Sequence, residues 1–557
     1  MIHARPSPAC AAHAARVVLL ALLLPPMLPA QEPPPPTGTP PAPTAARRRR
    51  PEWKPTLSLP KDLWVDVTAA TIGTTAEWTN KVELADVDGD GRPDILFANG
   101  GDYDTPGTPV ASRVFANRGA GHAFAEVTKQ VFGDALFLAR VIKVRDVDGD
   151  GRADVFVGTT FGTQSRLFLG TGQGDAGKGA FRDATASNLP ALPLSVGDAE
   201  FGDIDGDGDL DLVLAEWGPG SPMKNDGGRT RLWRNDGGVF TDVTNECMPD
   251  VLVRFSWELE LVDVDNDFDL DVLVSSKRSP GSFLFLNDGT GRFTDVSKQR
   301  LPQFTNNYEF EPMDVDGDGW LDLVTINDGV GDQRFCEHLF RSDGKGGFED
   351  ATERLWPKAD NPRFDDNMVA FLDYDSNGDA DFLIGSLDGP DRLLVNDGTG
   401  HFAAGAPVFE GDPTDGTLGI ALADLDGDGR LDVVHAQGEV AKALADKVFF
   451  GKSIAPDTAA PYIGPLAVGT ATAGSPLLVR VRVHDRKSPC MPHDWRRVVL
   501  HCTQDGEATE LPLQWYGEYL WRATVPLARA GRLTLVVEAT DAAGNTARSP
   551  ERSLEVK

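Results

Sequence analysis

Asp86-Val-Asp88-Gly-Asp90-Gly91-Arg-Pro-Asp94 decides the reading of this chain, because the same nine-residue phrase, Asp-x-Asp-x-Asp-Gly-x-x-Asp, returns until it has been written seven times. The copies start at Asp86, Asp146, Asp203, Asp263, Asp314, Asp373 and Asp424, with successive starts 60, 57, 60, 51, 59 and 51 residues apart. Positions 3, 5 and 9 are Asp88, Asp90 and Asp94, then Asp148, Asp150 and Asp154, then Asp205, Asp207 and Asp211. They continue as Asp265, Asp267 and Asp271, as Asp316, Asp318 and Asp322, as Asp375, Asn377 and Asp381, and as Asp426, Asp428 and Asp432.

Alternate side chains of a tightly curled loop turn inward, so positions 1, 3 and 5 wrap one ion and position 9 completes the shell with a backbone carbonyl near position 7. Calcium takes six to eight hard oxygen ligands in a flexible shell, whereas magnesium demands a tight octahedron and keeps its waters. Without a cation, carboxylates this close repel one another. An Asp/Gly-rich turn with no metal uses the same residue types, but the sevenfold register favours calcium, up to one ion per repeat. Two copies depart from the pattern. The fourth has Phe268 where Gly91 stands in the first, a bulky residue in strained left-handed geometry, so its site is expected to be the weakest. The sixth has Asn377 at position 5, which keeps an oxygen and loses a charge.

An apolar strand enters each Asp loop, as Val82–Ala85 does, and a second leaves it, as in Ile95–Ala98 or Leu323–Ile326. A third strand runs into a turn such as 287–291 or 396–400, and a fourth carries an aromatic-led Asp-Val-Thr phrase: Phe240–Thr244, Phe293–Ser297, Phe348–Thr352. Four short strands per repeat of 50–60 residues describe the blades of a β-propeller. The same phrase occurs once before the first Asp loop, at Trp64–Thr68, while the seventh repeat stops after Lys447–Gly451 without one. Residues 62–68 are therefore expected to complete the last of seven blades, leaving no open sheet edge. The fold class expected is all-β, a seven-bladed β-propeller followed by a small β-sandwich.

These repeats, through their Asp loops and Phe-x-Asp-Val-Thr phrases, resemble the FG-GAP/VCBS type of integrin α-subunit propellers and of many secreted bacterial proteins. The resemblance covers residues 61–453; it is specific for fold and calcium and nearly silent on function. It implies that each Asp loop joins the two innermost strands of a blade on the lower face, and that partners bind the upper face. The upper-face segments then carry Trp78, Tyr103, Trp217, Trp257 and Tyr308, with Asn306, Asn307, Asp365 and Asp366 nearby. Exposed aromatics beside amides and carboxylates suit sugar stacking or a protein hot spot; packing between blades is the alternative use of the same rings. Residues 459–557 lack Asp loops, alternate as strands at Leu477–His484, and resemble the Ig-like or fibronectin-III-like domains appended to secreted bacterial proteins.

The formal charge is −32, yet the loops hold 28 ligand positions, 27 of them Asp, and seven Ca²⁺ bring the balance to roughly −18. The acidity is largely a ligand inventory, and nucleic acid is excluded as a partner. Residues 1–30 read as a signal peptide, with Arg5 and Arg16 before the apolar run Val17–Leu24 and a small-residue cleavage site at Ala30. Residues 31–58, rich in Pro and containing Arg47–Arg50, read as a disordered linker. No segment looks transmembrane, so the protein is expected to be secreted, periplasmic or at the cell surface. Cys490 and Cys502 are a candidate disulfide there, and Cys247 and Cys336 read as buried free thiols. His122, His338, His401 and His435 are scattered over different repeats and no catalytic motif is present. The expectation is a binding or adhesion scaffold for an extracellular glycan or protein, with a polysaccharide lyase or glycosidase acting at the upper face as the alternative.

Overall fold

Every Asp-loop repeat folds as one antiparallel sheet of four strands. In the first, Thr79–Ala85, Asp94–Asn99, Val114–Asn117 and Phe124–Glu126 lie side by side in chain order. The computed structural model describes residues 53–119, 124–172, 181–327, 336–410, 416–438 and 443–557, and among them seven such four-stranded sheets occur. The signal peptide expected at 1–30, the run Arg47–Arg50 and His122 lie outside the described residues, as does the linker up to residue 52. Residues 53–58 of that linker are packed: the Leu57 N–H donates to Ala404 O at 2.9 Å and Thr56 Oγ1 to Asp360 at 2.7 Å.

The register places the Asp loop at the tip of the innermost hairpin each time. Ala85 pairs with Asp94 in the first sheet and Ala423 with Asp432 in the seventh, so the ninth Asp begins the second strand. A β-bulge interrupts the same point of the first strand in six sheets, as between Thr79 and Lys81 or between Asn307 and Glu309. Such a bulge adds twist and re-aims a side chain.

The Asp-Val-Thr phrase works as a clamp. Asp66 accepts the Thr68 N–H at 2.9 Å, and Thr68 Oγ1 in turn accepts the Val448 N–H at 3.0 Å from the neighbouring strand. Asp242 and Thr244 repeat this on Leu232, and Asp350 and Thr352 on Leu339, each bond being 3.0–3.1 Å. Trp64–Asp66 accordingly pairs antiparallel with Lys447–Gly451 and supplies the fourth strand of the seventh sheet.

Apolar cores lie between adjacent sheets and run round in a cycle. Leu96 and Ala98 of the first sheet meet Ile142 and Val157 of the second. At the other end of the repeats, Leu84, Ile95 and Phe97 of the first sheet meet Val434, Val448 and Phe450 of the seventh. Asparagines ending third strands stitch one sheet to the loop of the one before it. Asn235 Nδ2 donates to Val147 O at 2.8 Å, Asn287 to Ile204 O at 2.9 Å and Asn396 to Val315 O at 2.8 Å. Asn117 makes the same bond to Leu425 O at 2.8 Å, joining the first sheet to the seventh. Repeated four-stranded sheets of this kind fit a β-propeller. After them, two five-stranded antiparallel sheets, one built on Leu477–His484 and Leu520–Val525 and the other on Trp495–Gln504 and Gly531–Asp541, share a single apolar core.

Replacing Asn117 by Ala strands the buried Leu425 carbonyl and is expected to cost about 1–3 kcal/mol. Asn245→Ala, at an exposed position, should stay within about 0.5 kcal/mol. Equal losses of melting temperature in the two variants would remove the inter-sheet role assigned to Asn117.

Candidate metal centres

The first Asp of each phrase winds its own loop. Asp86 Oδ1 accepts the N–H groups of Gly89 and Asp90 at 2.8 and 3.0 Å, and Oδ2 accepts that of Gly91 at 2.7 Å. Asp424 does the same to Gly427, Asp428 and Gly429 at 2.7, 3.1 and 2.9 Å. The ninth Asp closes the loop from the other side: Asp94 accepts the N–H of Val87 at 3.0 Å and of Asn117 at 2.7 Å. This winding requires left-handed backbone twice per loop, at positions 4 and 6, with φ of +74° at Gly89 and +83° at Gly91. The fourth loop takes the same path without either glycine, Asn266 at +60° and Phe268 at +69°, which costs a bulky residue roughly 1–2 kcal/mol. The sequence exposed the strain at position 6 but not the equal demand at position 4.

The result is a set of carboxylate cups. Ligand oxygens of Asp86, Asp88 and Asp90 lie within 4.8 Å of one another, as do those of Asp146, Asp148 and Asp154 and those of Asp203, Asp205 and Asp211. The fourth and fifth loops bring together Asp263, Asp265 and Asp271, and Asp314, Asp316 and Asp322, in the same way. At position 3, the Oδ1 atoms of Asp148, Asp205, Asp265 and Asp316 are buried and accept no hydrogen bond. A buried oxygen left so costs about 1–3 kcal/mol, and a hard cation is the partner its chemistry asks for. The residues present therefore fit a metal ion.

Burial pushes the ninth carboxyl upward, to about 7 at Asp94 and Asp154 and to about 8 at Asp211 and Asp432, with the other loop carboxylates adding to the rise. At Asp322 burial has the same effect, to about 7, although Arg341 opposes it.

The chain also supplies its own cations to these cups. Arg341 reaches Asp316 at 2.5 Å, Asp318 at 3.1 Å and Asp322 at 2.8 Å. Arginines of the C-terminal sheets reach others: Arg522 pairs with Asp203, Arg482 with Asp263 at 3.1 Å, and Arg480 with Asp269 at 2.8 Å. Arg480 and the Tyr516 hydroxyl both donate to the Phe268 carbonyl, at 3.1 and 2.9 Å. The C-terminal sheets thus rest against the Asp-loop end of the repeats. Nothing in the loop sequences announced these partners, because they come from more than 200 residues away and carry no motif of their own.

The aromatic side chains singled out by sequence sit mostly inside. Trp217, Trp257 and Tyr308 are each no more than 1% exposed, and Trp217 stacks on Trp257 at 5.8 Å between centroids. Lys277 Nζ lies 3.9 Å from the Tyr308 ring centre and 4.8 Å from that of Trp257, while the Arg140 guanidinium lies 4.0 Å over Trp257. The faces expected to stack on a ligand are covered by cations of the chain itself. Tyr103 and Trp78 are half-buried; Tyr103 packs edge-on to Trp257, and Trp78 donates to Asn80 Oδ1 at 3.1 Å. Asn307 and Asp366 are buried, Asp366 in a bidentate pair with Arg392.

His435 is fully buried between Phe409 and Phe449, and burial pushes its imidazole down to about 3. Cys490 and Cys502 are not bonded to each other: both thiols are free, and they belong to separate apolar cores, one in the repeats and one in the C-terminal sheets. Cys247 and Cys336 are free and half-buried.

Two outcomes are expected in solution. A carboxyl whose folded pKa is raised contributes stability below its unfolded value and loses it as pH climbs through the folded one. Occupation by a cation requires the charged form, so metal binding should release protons near pH 7 and tighten from pH 6 to pH 8. Buffer-dependent heats in calorimetric titration measure the release; heats independent of buffer would contradict it. Second, Asp316→Ala should lower metal affinity and stability more than Asp265→Ala, because Asn266 and Phe268 already strain the backbone of the fourth loop, whereas the fifth has glycine at both positions; comparable losses would refute the ranking.

Among solved structures, the chain is similar to a lectin of Agrocybe aegerita described as recognising non-reducing terminal N-acetylglucosamine. That match has 19% identity and a TM-score of 0.38, and covers 61% of this chain and 81% of the lectin. The extracellular domain of a one-component system of B. thetaiotaomicron matches at 11% identity and a TM-score of 0.38, covering 90% of this chain and 58% of that one. The V. cholerae biofilm matrix protein Bap1 matches at 13% identity and a TM-score of 0.30, covering 86% and 76%. No curated protein sequence matches the chain. The model of the FG-GAP-like repeat matches residues 86–157, 146–214, 263–325 and 373–435. Each match opens on the first Asp of a loop and runs past the next loop, so together they take in every copy of the phrase: the chain carries FG-GAP-like repeats.

Proposed function

We propose that this chain is an exported, calcium-stabilised binding scaffold. In this reading residues 61–453 form a seven-bladed propeller closed by residues 62–68, and residues 459–557 form an Ig/fibronectin-III-like sandwich. Calcium occupies the Asp loops as a structural ion that pins each inner hairpin, and an extracellular glycan or protein docks on the opposite end of the ring. The fit of the cups to a hard cation supports calcium, as does the resemblance of the repeats to a calcium-binding type.

One observation carries the docking surface. The C-terminal sheets rest on the Asp-loop end, and four of the six exposed large apolar side chains among the described residues stand in loops at the other end: Leu136 at 58%, Leu252 at 50%, Met223 and Val110. Val110 and Leu136 adjoin through the Val110–Phe137 bridge, and Leu252 neighbours the Gly228–Val253 bridge. Apolar side chains grouped on connecting loops of a rigid scaffold mark interaction sites. No described helix is long and apolar enough to cross a membrane.

Saturating a site at a hundredfold excess over its Kd adds about 2.7 kcal/mol to stability, so chelation should lower Tm sharply, with calcium restoring it more fully than magnesium. The docking claim is tested on the same protein with an array of glycans and immobilised extracellular proteins. Leu136→Asp combined with Leu252→Asp should weaken any binding at least tenfold while leaving Tm unchanged. Binding that survives both substitutions would overturn the assignment of that surface.

A further inference from the structure

The inner strands of the sheets line an axial cavity of about 60 Å³. Its wall carries charged side chains three or five residues before the first five Asp loops, where alternation turns them toward the axis, and only uncharged residues from the sixth and seventh repeats. Three acids there are matched by cations: Glu258 by Lys81, Glu200 by Lys143, and Glu83 by Arg145 at 2.7 Å. Four further acids line the same space: Glu260, Glu309, Glu311 and, from the C-terminal sheets, Glu518. The lining therefore has seven carboxylates against three cations. Four carboxyls with no basic partner of their own, in a space that holds about two waters, resist ionising together unless a cation joins them.

A second observation points to what balances them. Glu258, 5% exposed, gives Oε1 to Lys81 and leaves Oε2 buried with no hydrogen-bond partner. Asp198, 1% exposed and adding to the field on Glu258, accepts the Leu259 N–H at Oδ2 at 3.1 Å, and its Oδ1 has no partner. On the opposite wall Glu518 Oε1 is orphaned as well.

We propose that the axis of the ring holds a divalent cation, bound by Glu258, Glu260, Glu309 and Glu311 of the inner strands and by Glu518 of the C-terminal sheets, separate from the ions of the Asp loops. The donors are all oxygen and come from two inner-strand segments and one turn, an irregular set that suits calcium better than the octahedron of magnesium. A softer metal is disfavoured, since the sulfur lining the cavity, Cys490 Sγ, accepts the Trp495 N–H at 3.3 Å. Burial and the neighbouring acids hold Glu260, Glu309 and Glu311 well above the usual carboxylate range when no cation is present, so ion entry displaces protons. Because Glu518 lies in the turn between Gln514–Gly517 and Leu520–Val525, the ion fastens the C-terminal sheets to the centre of the ring.

The test counts ions. After equilibration with calcium and gel filtration, the full chain carrying Glu260→Gln and Glu311→Gln should retain one ion fewer than the parent chain by elemental analysis. Asp148→Asn should lose its ion from the second loop and keep the axial one. An unchanged ion count in the double variant overturns the proposal. If that variant does not fold, crystals of the parent chain soaked with manganese decide the matter. An anomalous peak on the axis supports the site, and peaks confined to the Asp loops, or none at all, overturn it.

Discussion

The gathering of negative charge at the tip of every inner hairpin is the constraint on which the rest depends. Each loop spends one Asp on organising backbone N–H groups and another on tying the loop to the third strand, and the oxygens left over are forced together. Like charges at that spacing resist collapse unless a positive partner arrives. The molecule answers with two kinds of partner, arginines of its own at several loops and a geometry fit for a hard cation. Because the loop lies where first and second strands meet, whatever neutralises it also fixes the register of the two strands that face the axis.

Between sheets a different interaction does the joining. Asparagine amides cross from the third strand of one sheet to the loop of the preceding one, and the bond from Asn117 to Leu425 spans the two ends of the repeat region. The pairing of Trp64–Asp66 with Lys447–Gly451 covers the edge that the third strand of the seventh sheet would otherwise present. Edge protection by a borrowed strand is stable because the borrowed piece brings Trp64, wholly buried and bonded through its indole N–H to Leu431 O at 2.8 Å.

What was legible in the sequence was whatever repeats. The Asp loops, the strand alternation and the Asp-Val-Thr phrase each recur, and recurrence separates a structural demand from coincidence. The phrase at Trp64–Thr68 was readable as a fourth strand for the same reason, and its Thr68 clamps Val448 as Thr244 clamps Leu232. What was not legible arises once. Trp217, Trp257 and Tyr308 looked like a docking surface because nothing local reveals that Lys277 and Arg140 fill the space between them. The arginines that meet the third and fourth loops are spaced as strand residues, indistinguishable from a solvated face. The inner-strand acids did leave a trace, charged residues at Glu83, Glu200, Glu260 and Glu311, but only the packed sheets bring them to one cavity.

The borrowed strand also orders events in time. Thr68 meets Val448 across 380 residues, and at a synthesis rate of roughly 5–20 residues per second the first partner waits on the order of 20–80 s for the second. Until then six sheets stand complete beside a seventh that lacks its outer strand, and Trp64 has no pocket. A nascent chain of this design gains most from a chaperone that shields its beginning, and a ribosome stalled late in the message leaves behind an open, adhesive arc.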